Sequence, residues 1–410
     1  MNAIPALCTP SVEIPALIGS LMKITAVRAI LLSFPVPKER QHRNDYGVVV
    51  KNDNVIVVVE TDAGITGIGA AHGGPEAIQA TIDHEIAPTL IGEDPTNIER
   101  LWEKMYSGSR LEPSLHRGYC HPSARGRSGE RLCAIAGVDI ALWDIWGKFL
   151  QQPVYKLLGA CRTSIRAYAS GGWAPGDEAE REMAGYAAKG FTAVKMRAEG
   201  RDGFSIRKSI HRIAAARRGI GPDVELMVDA HGSLDVSTAI RLARRMEEYD
   251  VAWFEEPVSP DNHDGLAEVR RATSVPMATG ERESTRFPFL SLLEKRAVDI
   301  VQPDIAIAGG FTEVRRIAAL SSAYGVRMAP HVWSAGVLFA ASIHVAMSTP
   351  NSFIFEVSQA PNPLIYEIFE EPFDIRDGYV HAPTGPGLGF TLRCDIEERF
   401  PYIPGPNYLY

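Results

Sequence analysis

Asp229, Glu255 and Glu281 lie 26 and 26 residues apart, each closing a short apolar run. Spacing of one repeat unit each would bring three carboxylates to one place, where they repel one another unless a cation neutralises them. An all-oxygen donor set suits a hard divalent ion, and Mg2+, which keeps water or substrate in its other positions, fits best. A single carboxylate ending a strand could as well cap the next helix, but three in register favour the cation. Asp304 and His331 end two further runs. An aspartate that hydrogen-bonds one imidazole nitrogen fixes the tautomer and raises the basicity of the other, the arrangement of a general base. Lys195 and Arg197, two apart on one strand, point to the same side. They could bind a substrate carboxylate, the lysine could act as a base, or both could pair with the acids. Glu356 could hydrogen-bond an enolate oxygen when protonated, or cap a helix.

The elements that would position these residues are legible after Gly159, where short apolar strands alternate with amphipathic helices. The strands fall at 164–170, 193–197, 225–230, 252–257, 276–280, 299–304, 327–331 and 353–357. Each interval leaves room for one strand, one helix and two loops, and eight such units describe a TIM barrel. A doubly wound sheet rarely needs eight parallel strands, and no GxGxxG follows the first one. Active sites of barrels sit at the C-terminal strand ends, where all the residues above fall. Before Gly159, alternation over 23–60 predicts a small antiparallel sheet, with 47–51 and 55–60 as a hairpin pair, followed by helices over 75–91, 97–106 and 132–158. The expected organisation is α/β: a modified TIM barrel over 161–365, an α+β capping domain over 22–160, and a segment 366–410 that packs back on cap and barrel. Residues 1–21 read as a flexible extension. They are broken by Pro5, Pro10 and Pro15 and lack a basic start, which fits neither a signal peptide nor a membrane span.

Composition narrows the partners. Of 410 residues, 45% are hydrophobic and 22% charged, as in ordinary globular proteins, and the formal charge of −8 argues against nucleic acid or anionic lipid. The cysteines Cys8, Cys120, Cys133, Cys161 and Cys394 form no CxxC pair and no even framework, which points to a reducing cytoplasm. Ala308-Gly-Gly-Phe is too weak a signal for a phosphate site.

Val194-Lys-Met-Arg, Met227-Val-Asp-Ala-His-Gly, Trp253-Phe-Glu-Glu-Pro, Ala278-Thr-Gly-Glu, Gln302-Pro-Asp and Pro330-His-Val-Trp follow in order from one strand end to the next. In these motifs the chain resembles the enolase superfamily, and within it the mandelate racemase subgroup, from Met22 onward. The resemblance implies a magnesium ion bound by Asp229, Glu255 and Glu281, and a dyad of His331 and Asp304. It also implies that Glu356 hydrogen-bonds the carboxylate of a small-molecule acid substrate. The reaction implied is removal of the proton next to that carboxylate, made accessible by stabilising the enediolate. Barrels of this family are commonly homo-oligomers.

One departure matters. The usual pattern carries Lys-x-Lys on the second strand, whereas this chain has Arg197, which stays protonated and suits an anion better than a base role. Asp229-Ala-His231-Gly232 is similar to the segment of the galactonate dehydratase type, whose histidine serves acid–base chemistry at the leaving hydroxyl. The expectation is therefore a sugar-acid dehydratase. An epimerase or lactone cycloisomerase comes second, since Pro330-His-Val-Trp-Ser-Ala-Gly also resembles cycloisomerases, and a catalytically silent barrel third. In this family the cap loops choose the substrate, here Phe34–Gly47 and Gly69–Glu76, with Arg40, His42, Arg43, Tyr46 and His72 as candidates. Trp333 either walls the site or packs on the cap.

Overall fold

A computed structural model describes residues 22–38, 41, 43–44, 47–108, 112, 115–116, 128–333 and 335–409. The expected extension 1–21 and the candidates Arg40, His42 and Tyr46 lie outside the described residues, and of Arg43 only the main chain is described.

The cap is built on three antiparallel strands in the order β1 (Ile24–Pro35), β4 (Lys51–Thr61) and β5 (Thr66–Ala71). Two short strands, β2 (Arg43–Asn44) and β3 (Gly47–Val49), stand apart from this sheet. The expected hairpin between 47–51 and 55–60 does not form. Residues 51–61 are one strand, with Pro35 opposite Lys51 and Ala29 opposite Val57. Two observations account for this. The unbroken run Val55–Val59 is buried and needs a strand on each side. The polar stretch before it turns no corner, because Asp53 is held by Ser33 Oγ at 2.6 Å and by Lys51 Nζ at 2.8 Å.

Helices over Pro75–Thr81, Ile98–Ser107 and Glu130–Phe149 cover the sheet. The last is apolar on nearly every side because it lies between the cap sheet and the barrel. Its sheet side is reached through glycines: a Cβ on Gly69 would stand 1.8 Å from the Gly137 carbonyl oxygen. On its barrel side Asp139 accepts from Thr312 N at 3.0 Å. The helix expected over 132–158 ends at Phe149, and Pro153 caps a separate turn, Val154–Leu157.

The barrel strands are β6 (Ser164–Gly171), β7 (Ala193–Arg197), β8 (Glu225–Asp229), β9 (Val251–Glu255), β10 (Met277–Thr279), β11 (Ile300–Val301), β12 (Arg327–Met328) and β13 (Phe355–Ser358). They pair in parallel in chain order from β6 to β12, and β13 closes on β6 with Phe355 opposite Ala167. All eight expected strands are present, several of them shorter than expected because their polar last residues leave the ladder for the barrel mouth. Below the mouth, Tyr168, Met227, Trp253, Ile300 and Ile354 fill the interior as a packed layer. After β13 the chain forms a hairpin, β14 (Ile375–Arg376) and β15 (Tyr379–His381), against the outer side of β6, and then returns to the cap, where β16 (Tyr408–Leu409) pairs with β3. Among the described residues no helix is long and apolar enough to cross a membrane.

Candidate active site

Strand register alone sets Arg197 beside Asp229 and Asp229 beside Glu255, across β7, β8 and β9. Glu255 is level with Ala278 on β10, and Glu281 follows three residues later. Asp304 and His331 form a bridge between the ends of β11 and β12. Of these, Arg197, Asp229, Glu281 and His331 line a cavity of about 250 Å3 between the barrel mouth and the cap.

The side chains divide into pairs. Lys195 Nζ lies between Glu255 and Glu356, in contact with Oε1 of the first and 3.0 Å from Oε1 of the second. Burial opposes charge on this lysine, but Glu255 and Glu356 outweigh it and hold the ammonium well above the usual range. Of the roles open to Lys195, the ion pair with the acids is the one seen. Arg197 Nη1 donates to Asp229 Oδ2 at 2.8 Å, and Asp229 Oδ1 accepts from His231 N at 2.7 Å. The second oxygen of Glu255 accepts from Trp253 Nε1 at 2.9 Å and Gln302 Nε2 at 2.7 Å. Burial, partly offset by Lys195, pushes Glu255 up to about 7. Glu281 stands 3.4 Å from His231 Nε2 and 3.7 Å from His331 Nε2. Against burial, His331 and His231 keep it well below the usual carboxylate range.

His331 Nδ1 lies 2.7 Å from Asp304 Oδ2, and the other Asp304 oxygen accepts from Ala306 N at 2.8 Å. Asp304 is thus fixed at both oxygens and orients the imidazole with Nε2 towards Glu281. Burial works against protonation, but Glu281 first, then Asp304 and Glu356, raise His331 to about 10. Glu356 Oε2 accepts from Val332 N at 2.8 Å, so it braces the segment carrying His331 and Trp333.

Residues beyond those anticipated also enter the site, Arg282, Glu256 and Trp173 among them. Arg282 Nη2 donates to the His231 carbonyl at 3.2 Å, and Nε is 3.5 Å from Glu256 and 3.8 Å from Glu281. Glu256 is buried at φ 35°, and neither carboxylate oxygen accepts a hydrogen bond. Burial, with Glu281 next, holds it well above the usual range. Trp173, after β6, meets Trp333 edge-on with centroids 6.0 Å apart, and both wall the cavity. Trp333 therefore does face the site. Trp173 was findable, because the rule that strand ends face the mouth applies to the first strand too, and so was Arg282, one residue past Glu281. His72 reaches the cavity from the cap.

The donor chemistry fits a hard divalent cation. Asp229, Glu255, Glu256, Glu281 and Glu356 share three permanent cations, Lys195, Arg197 and Arg282. The convergence expected of Asp229, Glu255 and Glu281 is seen in the main chain rather than the side chains. Among the described residues no three His, Cys, Asp or Glu side chains gather as a metal cluster. The physical reason is on view: each of the three acids is turned to a cation of the chain itself.

Residues 29–159 match the N-terminal domain of the mandelate racemase/muconate lactonizing enzymes, and residues 178–396 the enolase C-terminal domain-like family. The chain belongs to the mandelate racemase/muconate lactonizing enzyme family. A D-galactarolactone cycloisomerase of Agrobacterium fabrum is 36% identical over 406 residues, covering 94% of this chain and 100% of that protein. An arabinonate dehydratase of Saccharolobus solfataricus is 34% identical over 352 residues, covering 84% and 90%. Among solved structures, an enolase superfamily member from Polaromonas sp. JS666 superposes with a TM-score of 0.84 at 36% identity, covering 95% of this chain and 100% of that one. In this family of capped barrels the relatives include both a dehydratase and a cycloisomerase, so membership fixes the architecture and leaves the reaction to the site.

Proposed function

We propose that the protein is a magnesium-dependent dehydratase of a sugar acid, an aldonate or aldarate, which it converts to a 2-keto-3-deoxy acid in the cytoplasm, as a homo-oligomer. The observation that carries this reading is the pair Asp304–His331, 2.7 Å apart and aimed at Glu281 in the cavity. Asp229, Glu255 and Glu281 would hold the magnesium ion. When bound, it supplies Lewis-acid stabilisation of negative charge on the substrate carboxylate.

The chain's own groups do the rest. His331 Nε2 takes the proton from Cα, while Nδ1 stays on Asp304. Neutralising Glu281 removes the largest interaction that keeps His331 charged, which frees the imidazole for the base role. Lys195 and Glu356 lie where a hydrogen-bonded carboxylate oxygen would be stabilised. On the other side of Glu281, His231 protonates the hydroxyl leaving Cβ, so that the Cα–H and Cβ–O bonds break and water departs. The resulting enol becomes the ketone by taking a proton at C3. Arg197 is engaged by Asp229 and stays protonated, so it does not serve as a second base and racemisation is disfavoured.

Screening aldonic and aldaric acids with magnesium for 2-keto acid formation tests the reading. His331→Asn should abolish turnover, and His231→Asn should keep α-proton exchange while losing dehydration. If His231→Asn dehydrates normally, the acid is His331 itself. A lactone cycloisomerase is the second reading, favoured by the relative matched over its full length. Solvent deuterium entering Cα without loss of water would support it.

A further inference from the structure

The final strand of the chain lies over the site. β16 pairs with β3 so that Tyr408 is opposite Val49 and Leu409 opposite Val48. Directly opposed residues of an antiparallel pair present their side chains on the same face, and Tyr408 and Val49 both line the cavity. Leu409, one residue on, points away and is 53% exposed.

Several bonds fix this strand to the cap. Asn407 O accepts from Val50 N at 2.9 Å and Phe400 O from Ser33 N at 3.3 Å, while Ile403 N donates to Ser33 Oγ at 3.0 Å. Gly47 carries the complementary feature. Its φ is +129°, and a Cβ there would stand 2.6 Å from the Leu409 carbonyl oxygen. Strand β3 is therefore shaped to receive β16 at this point.

We propose that β16 forms the far wall of the substrate cavity and, through Tyr408, sets the length of acid that the site accepts. The carboxylates and the dyad occupy the barrel side, where the carboxylate end of a substrate belongs, so the carbons farthest from that end meet Val49 and Tyr408 on the cap side. A phenol suits them, with a ring face for C–H groups and a hydroxyl for a terminal hydroxyl. The proposal rests on the sugar-acid reading for the identity of the ligand, though not for the reaction.

The test is calorimetric affinity for a series of four- to seven-carbon aldonates in magnesium buffer, with turnover followed in parallel, for the full chain, a chain ending at Gly405, Tyr408→Ala, Gly47→Ala and Leu409→Ala. The wild type should prefer one length. Truncation, Tyr408→Ala and Gly47→Ala should weaken that acid about tenfold and flatten the preference, whereas Leu409→Ala should leave it. Thermal unfolding of Tyr408→Ala should stay close to that of the wild type. An unchanged length profile in the truncated chain would overturn the proposal, as would an equal loss for every length together with a lowered Tm. Binding without turnover would refute the dehydratase reading and leave the wall standing. Turnover with an unchanged profile would do the reverse, and a chain that neither binds nor converts any of the acids would overturn both.

Discussion

Arg282 joins the acidic cluster to His231, the acid of the proposed reaction, since it touches the His231 carbonyl, Glu256 and Glu281. Replacing it by methionine would strip Glu256 and Glu281 of a shared partner. Breaking a largely buried ion pair costs roughly 3 kcal/mol, so Arg282→Met should lower the Tm clearly. Because burial, with Glu281 next, raises Glu256 well above the usual carboxylate range, Glu256→Gln alone should change stability little. In a double-mutant cycle it should recover part of what Arg282→Met loses. Lys195→Met should be worse than either, for it leaves Glu255 and Glu356 buried without their cation. At this scale the sequence shows the acids and the dyad, since a strand's last residue faces the mouth whatever its partners. Which acid turns to which cation is not legible. Lys195 with Glu356 joins strands that are not neighbours in the sheet, and Arg282 with Glu256 joins two residues past the ends of β9 and β10, contacts that no local pattern encodes.

Helix 336–348 and the turn at Val154 are joined by an element-level contact with no catalytic duty. His344 is fully buried, with Nδ1 accepting from Tyr155 N at 3.0 Å and Nε2 donating to Leu388 O at 3.1 Å. Burial lowers it from 6.5 to about 4. The unfolded chain therefore binds the proton more readily, and stability is present above pH 6.5 and lost as pH falls from there towards 4. This amounts to about 3 kcal/mol in all. Urea unfolding between pH 7 and 4 should show this loss in the wild type, and His344→Gln should flatten it. A second element-level contact is the approach of β5 to helix 130–149. Gly69→Ala puts a methyl group onto the Gly137 carbonyl, and overpacking of that kind costs about 1–3 kcal/mol. It should also displace the cap loop carrying His72, which would raise KM as well as lower the Tm. The barrel strands were legible because burial on both faces makes each an apolar run. The hairpin expected at 47–60 failed because that run pairs on one side with the strand that follows it, β5, and on the other with the earlier β1, leaving β3 outside the sheet.

In the whole molecule, cap, barrel and C-terminal return meet around one cavity. The capped barrel could be anticipated from eight repeat units and an α+β start. Tyr408 could not, since its place depends on a chain end that crosses from barrel to cap and pairs with a strand some 360 residues earlier. On the proposed function, this cavity removes an α-proton through His331 and expels the β-hydroxyl. The direct measurement is NMR of an aldonic and aldaric acid library incubated in deuterated water with magnesium and the wild-type or His331→Asn chain. One acid or a close set should become a 2-keto-3-deoxy acid carrying deuterium at C3, with magnesium and wild type only. Failure of every acid to exchange its α-proton would contradict the account.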